Sequence, residues 1–211
     1  MGGAARVGSH KLSSTSNFLL APMRIPGIVV TVNSSTSSNN AAVEQGAVAG
    51  QGGEHYHTYT PQDLEWPTVE HYFQAAKFDV TTAAAAHCRR IQLAADPLDA
   101  WELGQSRDFP LRSNWEAIKG YVMYTAVRTK YAQHAVYADT LAHTMIEPIQ
   151  AGPSTSNWQY LNTIVLERVR YELRVERNLP NLVQRHVYDA WCAQTNLPAG
   201  AAPIVVHVLT A

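Results

Sequence analysis

Glu70, Gln74 and Lys77 stand at i, i+4 and i+7 in the run Trp66-Pro67-Thr68-Val69-Glu70-His71-Tyr72-Phe73-Gln74-Ala75-Ala76-Lys77-Phe78. A helix there stacks a carboxylate, an amide and an ammonium along one stripe about two turns long. A carboxylate can stabilise a developing positive charge, and a lysine becomes a nucleophile where burial leaves its amine neutral. Thr68, just behind a proline, reads as the N-cap, and Val69, Tyr72, Phe73 and Ala76 repeat at the helical period and face a core. The helix dipole favours Glu70 as an anion in the first turn, so it is expected to stay ionised unless deeply desolvated. Taken alone, such a Glu-Lys stripe is most often a solvated face.

The surrounding elements must position that stripe. A short strand is expected near Ala5 to Val7 in a loose stretch over 1–15, and Ser16-Asn17-Phe18 and the run Ala21 to Val30 follow, for which the family resemblance given below implies a strand pair. Ser34 to Gly53 is rich in Ser, Asn, Ala and Gly and reads as an insertion loop, because it has too little apolar surface to offset its ordering entropy. Helices are expected over Ala83–Ala95, over Pro97–Gly104 with Gly104 as the C′ residue, and from Ser113 or Asn114 through Ile118, Val122, Ala126 and Val127 to Tyr131. Ala135–Leu141 continues as helix, His143–Ile149 reads as a strand, and Leu161–Leu173 is a long helix with Arg168 and Arg170 off its apolar face. Beyond Pro180, Leu182–Cys192 reads as an amphipathic helix and Ala202–Leu209 as a strand.

The run 66–78 resembles the signature of the NADAR family, which contains N-glycosidases of riboflavin intermediates and hydrolases that remove ADP-ribose from guanine. Further segments resemble the family in turn: Ser16-Asn17-Phe18, "DPLDAWELGQSRD" at 96–108, Trp115 with Met123 and Lys130-Tyr131, Glu147 on its strand, and Asn162 with Arg170 on the last family helix. The match spans most of 16–173 and is most specific at 66–78. It implies an α+β, mostly α-helical single domain of NADAR type with a small β component. Three regions follow: a flexible N-terminus over 1–15, a NADAR-like domain over 16–173 with an insertion at about 34–55, and a C-terminal extension over 174–211.

The resemblance implies catalytic roles for Glu70, Lys77 and Glu147, and substrate contacts from Asn17, Phe18, His71, Gln74, Arg107, Trp115, Asn157, Trp158 and Asn162. The implied substrate is an ADP-ribosyl or ribosylamino nitrogen adduct, including ADP-ribosylated nucleic acid, and no cofactor is implied. Breaking such a bond through an oxocarbenium-like state needs a carboxylate at the anomeric carbon and an acid for the leaving nitrogen, roles that Glu70 and Glu147 could share. Alternatively, a neutral Lys77 could exchange into the ring-opened imine as a Schiff base. A third reading makes Lys77 the ion-pair partner of Glu70 or Glu147. The family presents an aspartate a few residues before a Trp-Gly pair, whereas in the matching stretch Ser154–Tyr160 Trp158 is kept, no acid precedes it and the glycine is absent, leaving Asn157 to supply a hydrogen bond. An amide cannot act as a base, and losing one such group can cost about a hundredfold. A binding module with weakened turnover, and a structural or interaction protein, are therefore the alternatives.

Composition narrows the partners. With a formal charge of −1 and 16% charged residues, no broad basic surface is available to hold a nucleic-acid backbone, so any such partner must enter a local pocket. Cys88 and Cys192 lie far apart without metal spacing and are read as buried small hydrophobes in a reducing compartment. His55-Tyr56-His57 is the one close histidine pair and lacks a third ligand nearby, so no metal is expected. No run approaches the length of a membrane span and the N-terminus lacks a signal-peptide core, so an intracellular, cytoplasmic monomer is expected.

Overall fold

The structure, a computed structural model, describes residues 5–7, 10–12, 20–34, 55–79, 81–144, 147–152, 157–181, 183–202 and 204–210. Its larger sheet is built on two twelve-residue strands, β3 (Met23–Ser34) and β4 (His55–Trp66), paired antiparallel from Met23 opposite Trp66 to Ser34 opposite His55. Met23, Ile25, Gly27 and Val29 point inward while Arg24 and Pro26 are exposed, the period-two alternation of a strand with one buried face. On the other edge β6 (His207–Thr210) lies parallel to β3, with Ile28 opposite His207. A Cβ at Gly27 would fall 2.4 Å from Leu64 Cδ1 and 2.9 Å from the Val206 carbonyl oxygen, so glycine is what lets the three strands close up there.

The smaller sheet has β1 (Ala5–Val7) in the middle, antiparallel to both β2 (His10–Leu12) and β5 (Ile149–Gln150). β5 is pinned to the helical body: the Ile149 N–H donates to Glu167 at 2.6 Å, and Arg170 donates both to Glu167 at 2.6 Å and to the Glu147 carbonyl at 3.0 Å. Glu167 and Arg170 are both buried, so each compensates the other's desolvation.

Seven helices complete the fold among the described residues: α1 (Val69–Ala75), α2 (Thr82–Gln92), α3 (Pro97–Leu103), α4 (Trp115–Gln133), α5 (Ala135–Ala142), α6 (Trp158–Glu176) and α7 (Arg185–Thr195). Local chemistry starts three of them. The Thr68 and Thr81 hydroxyls accept from the His71 and Ala84 N–H groups, and Asp96 accepts from Leu98 and Asp99 at 2.8 and 3.0 Å, with Pro97 at the first helical position. The core runs through Met23, Trp66, Tyr72, Phe78, Ile91, Ile118, Val122, Tyr131, Leu141, Val165 and Leu173. None of the described helices is long and apolar enough to cross a membrane.

The fold is the α+β, mostly helical domain that the resemblance implies, with several local differences. The strand expected over His143–Ile149 shrinks to Ile149–Gln150, because His143 and Thr144 donate their N–H groups back to Asp139 and Leu141 and finish α5. Residues 145 and 146 lie outside the described residues. Ladder pairing in the expected strand at Ala202–Leu209 begins only at His207, since the Val205 carbonyl accepts from Arg112 instead. Ser34 and His55 belong to strands, and the rest of the expected insertion, 35–54, lies outside the described residues. Past 173 the chain stays in the body: α6 runs on to Glu176, α7 packs on α4 and α6, and β6 joins the sheet. Gly104 has φ −67°, a right-handed value, so its glycine does not serve a left-handed C′ turn.

Candidate active site

Strand β4 ends in the fully buried Trp66, whose ring meets Tyr72 edge-on at 5.6 Å and sets the entry of α1. Every residue of α1 is buried, so the helix is wrapped on all sides and its polar stripe does not face solvent. Glu70 is 4% exposed and Gln74 2%. The Gln74 amide donates to Glu70 Oε1 at 2.6 Å, and a Cβ at Gly104 would fall 2.0 Å from Gln74 Oε1. That contact explains the glycine: α3 ends hard against the Gln74 side chain.

Lys77 lies just past α1, half-buried, and its Nζ donates to the Gly104 carbonyl at 3.3 Å. Arg112 fixes the backbone around it. Its N–H donates to the Lys77 carbonyl at 2.8 Å, its Nε to the Ala76 carbonyl at 2.8 Å, and its Nη2 to the Val205 carbonyl on the approach to β6. The Cys88 thiol, buried on α2, donates to the Ala75 carbonyl at 3.4 Å.

Burial dominates the electrostatics. Desolvation pushes the Glu70 carboxyl above the ordinary carboxylate range, although the Gln74 hydrogen bond and the Lys77 charge both pull it down. The expectation of an ionised first-turn carboxylate carried the exception of deep desolvation, and Glu70 is buried deeply enough for that exception to apply. Desolvation likewise lowers Lys77 to about 8, partly offset by Glu70 and reinforced by Arg107. One short segment thus carries an acid and an amine, both displaced toward their neutral forms.

An aromatic wall stands beside them. Phe73 packs against Trp115 at 5.1 Å and edge-on against Trp158 at 4.9 Å, with Lys77 Nζ 5.9 Å from the Phe73 ring. Lys119, paired with Glu116 at 2.5 Å, lies 5.6 Å over the Trp158 ring. Phe73 therefore brings Lys77, Trp115 and Trp158 together, on the helix that also carries the Glu70–Gln74 pair.

Other expected site residues are placed differently. Glu147 is exposed, its carbonyl held by Arg170, so its carboxylate does not join Glu70 in a buried pair. His71 is 1% exposed and both ring nitrogens are engaged, Nδ1 with the Thr68 hydroxyl at 2.8 Å and Nε2 with the Ala94 carbonyl at 3.3 Å, which ties the start of α1 to the end of α2. Arg107 is exposed and donates to the Gln105 and Ser106 carbonyls, yet lies close enough to act on Lys77. Asn157 is exposed at the start of α6 without a side-chain cap bond, while Asn162 is buried one turn on. Asn17 and Phe18 lie outside the described residues. Sequence reasoning passed over Lys119 and Arg112, and read Phe73 only as an apolar-face residue. Arg112 carries no local signal at all, since its partners Ala76 and Val205 lie 36 and 93 residues away.

An α+β domain with this helix at its centre matches a known family. Residues 33–159 fit the model described as the NADAR domain, and the chain belongs to the NADAR family. N-glycosidase YbiA of Escherichia coli (strain K12) is 44% identical over 70 residues, which cover 33% of this chain and 41% of that protein. An N-glycosidase of Nostoc punctiforme is 39% identical over 98 residues, 46% of this chain and 62% of the relative. The chain thus matches about two fifths of the length of the first of these. The NMR structure of E. coli YbiA is 30% identical, covering 58% of this chain and 74% of that one, with a TM-score of 0.44.

Proposed function

We propose that the protein is an N-glycosidase that hydrolyses the bond between the anomeric carbon of a ribose and a nitrogen, in an ADP-ribosyl adduct of guanine or a ribosylaminopyrimidine. The observation that carries this reading is the pairing, on one buried segment, of Glu70 with a lysine whose pKa is lowered to about 8. Family membership supports the reaction class, as do the names of the N-glycosidase relatives.

The ring-opened route suits these groups. The adduct nitrogen's lone pair forms C1′=N as the C1′–O4′ bond breaks, and O4′ takes a proton. The Lys77 amine, about a tenth neutral at pH 7 for a pKa near 8, adds to C1′. A proton passes to the adduct nitrogen, which departs with the C1′–N electron pair. Water then adds to the Lys77 imine and expels the lysine, and the freed aldehyde recloses. Glu70, held toward its protonated form by burial, donates and recovers the proton at each step. The oxocarbenium route asks for a second carboxylate, and Glu147 is exposed.

The test is release of base from an ADP-ribosylated guanine oligonucleotide and, separately, from a ribosylaminopyrimidine phosphate, followed by chromatography. The wild type is expected to turn over one of them, and Glu70→Gln, which keeps size and the hydrogen bond to Gln74, to be slowed by about a hundredfold or more. No release from either, or an undiminished Glu70→Gln, overturns the reading. A second reading, an ADP-ribose-binding module with little turnover, rests on the absence of an acid from Ser154 to Asn157, before Trp158. Saturable binding of ADP-ribose without release from either substrate would select it.

A further inference from the structure

Lys77 leaves α1 into a short antiparallel bridge. Phe78 faces Leu111, the Asp79 N–H donates to the Pro110 carbonyl at 2.9 Å, and the Arg112 N–H donates to the Lys77 carbonyl at 2.8 Å. A bridge of two hydrogen bonds is marginal by itself.

The Arg112 side chain adds what the bridge lacks. Ala76 is the C-cap of α1, and the last carbonyls of a helix have no partner within it. Arg112 Nε donates to that Ala76 carbonyl at 2.8 Å, and Nη2 donates to the Val205 carbonyl. A guanidinium holds its donors in one rigid fork, so placing one carbonyl sets the direction of the other. The residue after Val205 is already docked: the Val206 carbonyl accepts from the Ile28 N–H at 3.0 Å, where β6 comes alongside β3, the middle strand of its sheet. The backbone on both sides of the Ala76–Lys77 peptide is thus tied, through one residue, to the larger sheet. Val205 lies beyond residue 159, the last that fits the NADAR model, so the family match covers one end of this contact and not the other.

We propose that Arg112 is the positioning residue for Lys77 and that the C-terminal segment 204–210 shares this role, because the guanidinium carries the placement of β6 to the backbone that aims the lysine. The inference rests on the reading of Lys77 as the nucleophile. Without the clamp, residues 76 and 77 can turn Nζ away from the Gly104 carbonyl and the Phe73 ring, toward water. The charges that act on the amine are those of Glu70 and Arg107, so Arg112 works through the backbone.

Competitive acetylation of the full chain by limiting acetic anhydride across a pH series, followed by peptide mass spectrometry, reads the neutral fraction of each lysine without any substrate. Lys77 is expected to titrate near 8 in the wild type. Arg112→Gln removes both side-chain contacts, and Arg112→Lys keeps the charge but not the fork. In both, the Lys77 midpoint is expected to rise toward the ordinary 10.5, by at least about one pH unit. In both, kcat should fall about tenfold or more while KM stays within about twofold. Lys130, fully buried on α4, is the internal control and should label as in the wild type. A Lys77 midpoint unmoved in both variants, or Lys77 and Lys130 becoming reactive together, would overturn the proposal, the second because Arg112 would then hold the whole fold. If neither variant melts cooperatively, hydrogen exchange of the wild type decides: the Asp79 and Arg112 amides are expected to open at the same denaturant concentration as the peptide 204–210, and separate opening overturns the coupling. An inert wild type whose Lys77 titration responds to Arg112 supports the coupling and overturns the glycosidase reading alone. An active wild type without that response overturns this proposal alone.

Discussion

Gln74 donates to Glu70 across one helical turn at 2.6 Å, inside a helix with no exposed residue. The carboxyl is therefore steadied by a neutral donor, which compensates less charge than an arginine or lysine in direct contact would. That is why burial still prevails and the carboxyl is displaced toward its protonated form. Gln74 is itself held in place, because the end of α3 at Gly104 leaves its amide no room to swing away.

Gly104→Ala tests that confinement. Helix propensity alone favours alanine over glycine by roughly 1 kcal/mol, but a Cβ 2.0 Å from Gln74 Oε1 must push the amide off Glu70. The expected result is a loss of about 1–3 kcal/mol in urea denaturation, together with reduced turnover. A stabilised variant with full activity would show that the two side chains are not in register.

Lys77 is checked by its pH dependence and by trapping. If the neutral amine attacks, kcat/KM should climb with pH up to about 8 and flatten above it. Borohydride added during turnover should leave a sugar-sized mass on the peptide containing Lys77. Lys77→Arg keeps the charge but cannot form an imine, so it should lose adduct and activity together. An active arginine variant with no adduct would leave Glu70 to act without the Schiff base.

Lys130 is fully buried on α4, and desolvation lowers it to about 7. Its folded pKa lies below the ordinary 10.5, so between pH 7 and that value the unfolded chain binds a proton that the folded chain does not. Stability should accordingly rise with pH across that window, and Lys77 adds in the same direction above about 8. Lys130→Met should flatten the rise and lift the Tm at pH 6 by a few degrees, roughly 1–2 kcal/mol. Melting curves from pH 6 to 9 decide it, and a Tm that falls at pH 6 would mean that the ammonium stabilises the fold.

Ser34 and His55 face each other at the open end of the β3–β4 ladder. A two-residue Asn-Gly turn can join strand ends in that register. Replacing 35–54 with Asn-Gly should leave unfolding cooperative and the Tm equal or higher, because a shorter connection costs less closure entropy. Loss of a cooperative melt would show that the fold depends on the replaced residues.

What the sequence made legible was local. Thr68 announces a helix start because the cap and its N–H partner lie three residues apart. Glu70, Gln74 and Lys77 could be grouped because one helix carries them. Strand β4 was missed: Pro61, Gln62, Asp63 and Glu65 interrupt its apolar pattern, and it is a strand because β3 supplies twelve partners. Glu147 was expected beside Glu70, but its direction is set by Glu167 and Arg170, which hold the neighbouring backbone from another helix. How deeply Glu70 is desolvated was not legible for a related reason, since periodicity shows one apolar face and cannot show that the opposite face is covered too.

The Arg112 contact to Val205 also orders events during synthesis. Arg112 leaves the ribosome 93 residues before the carbonyl it will bind, a wait of roughly 5–20 s at ordinary elongation rates. Through that interval α1 can form, but the backbone at Ala76 and Lys77 lacks its anchor to the strand beside β3, and the edge of β3 that β6 will cover stays open. The nascent chain therefore passes through a stage with α1 made and the backbone after it unanchored. That open edge is where a chaperone would be needed.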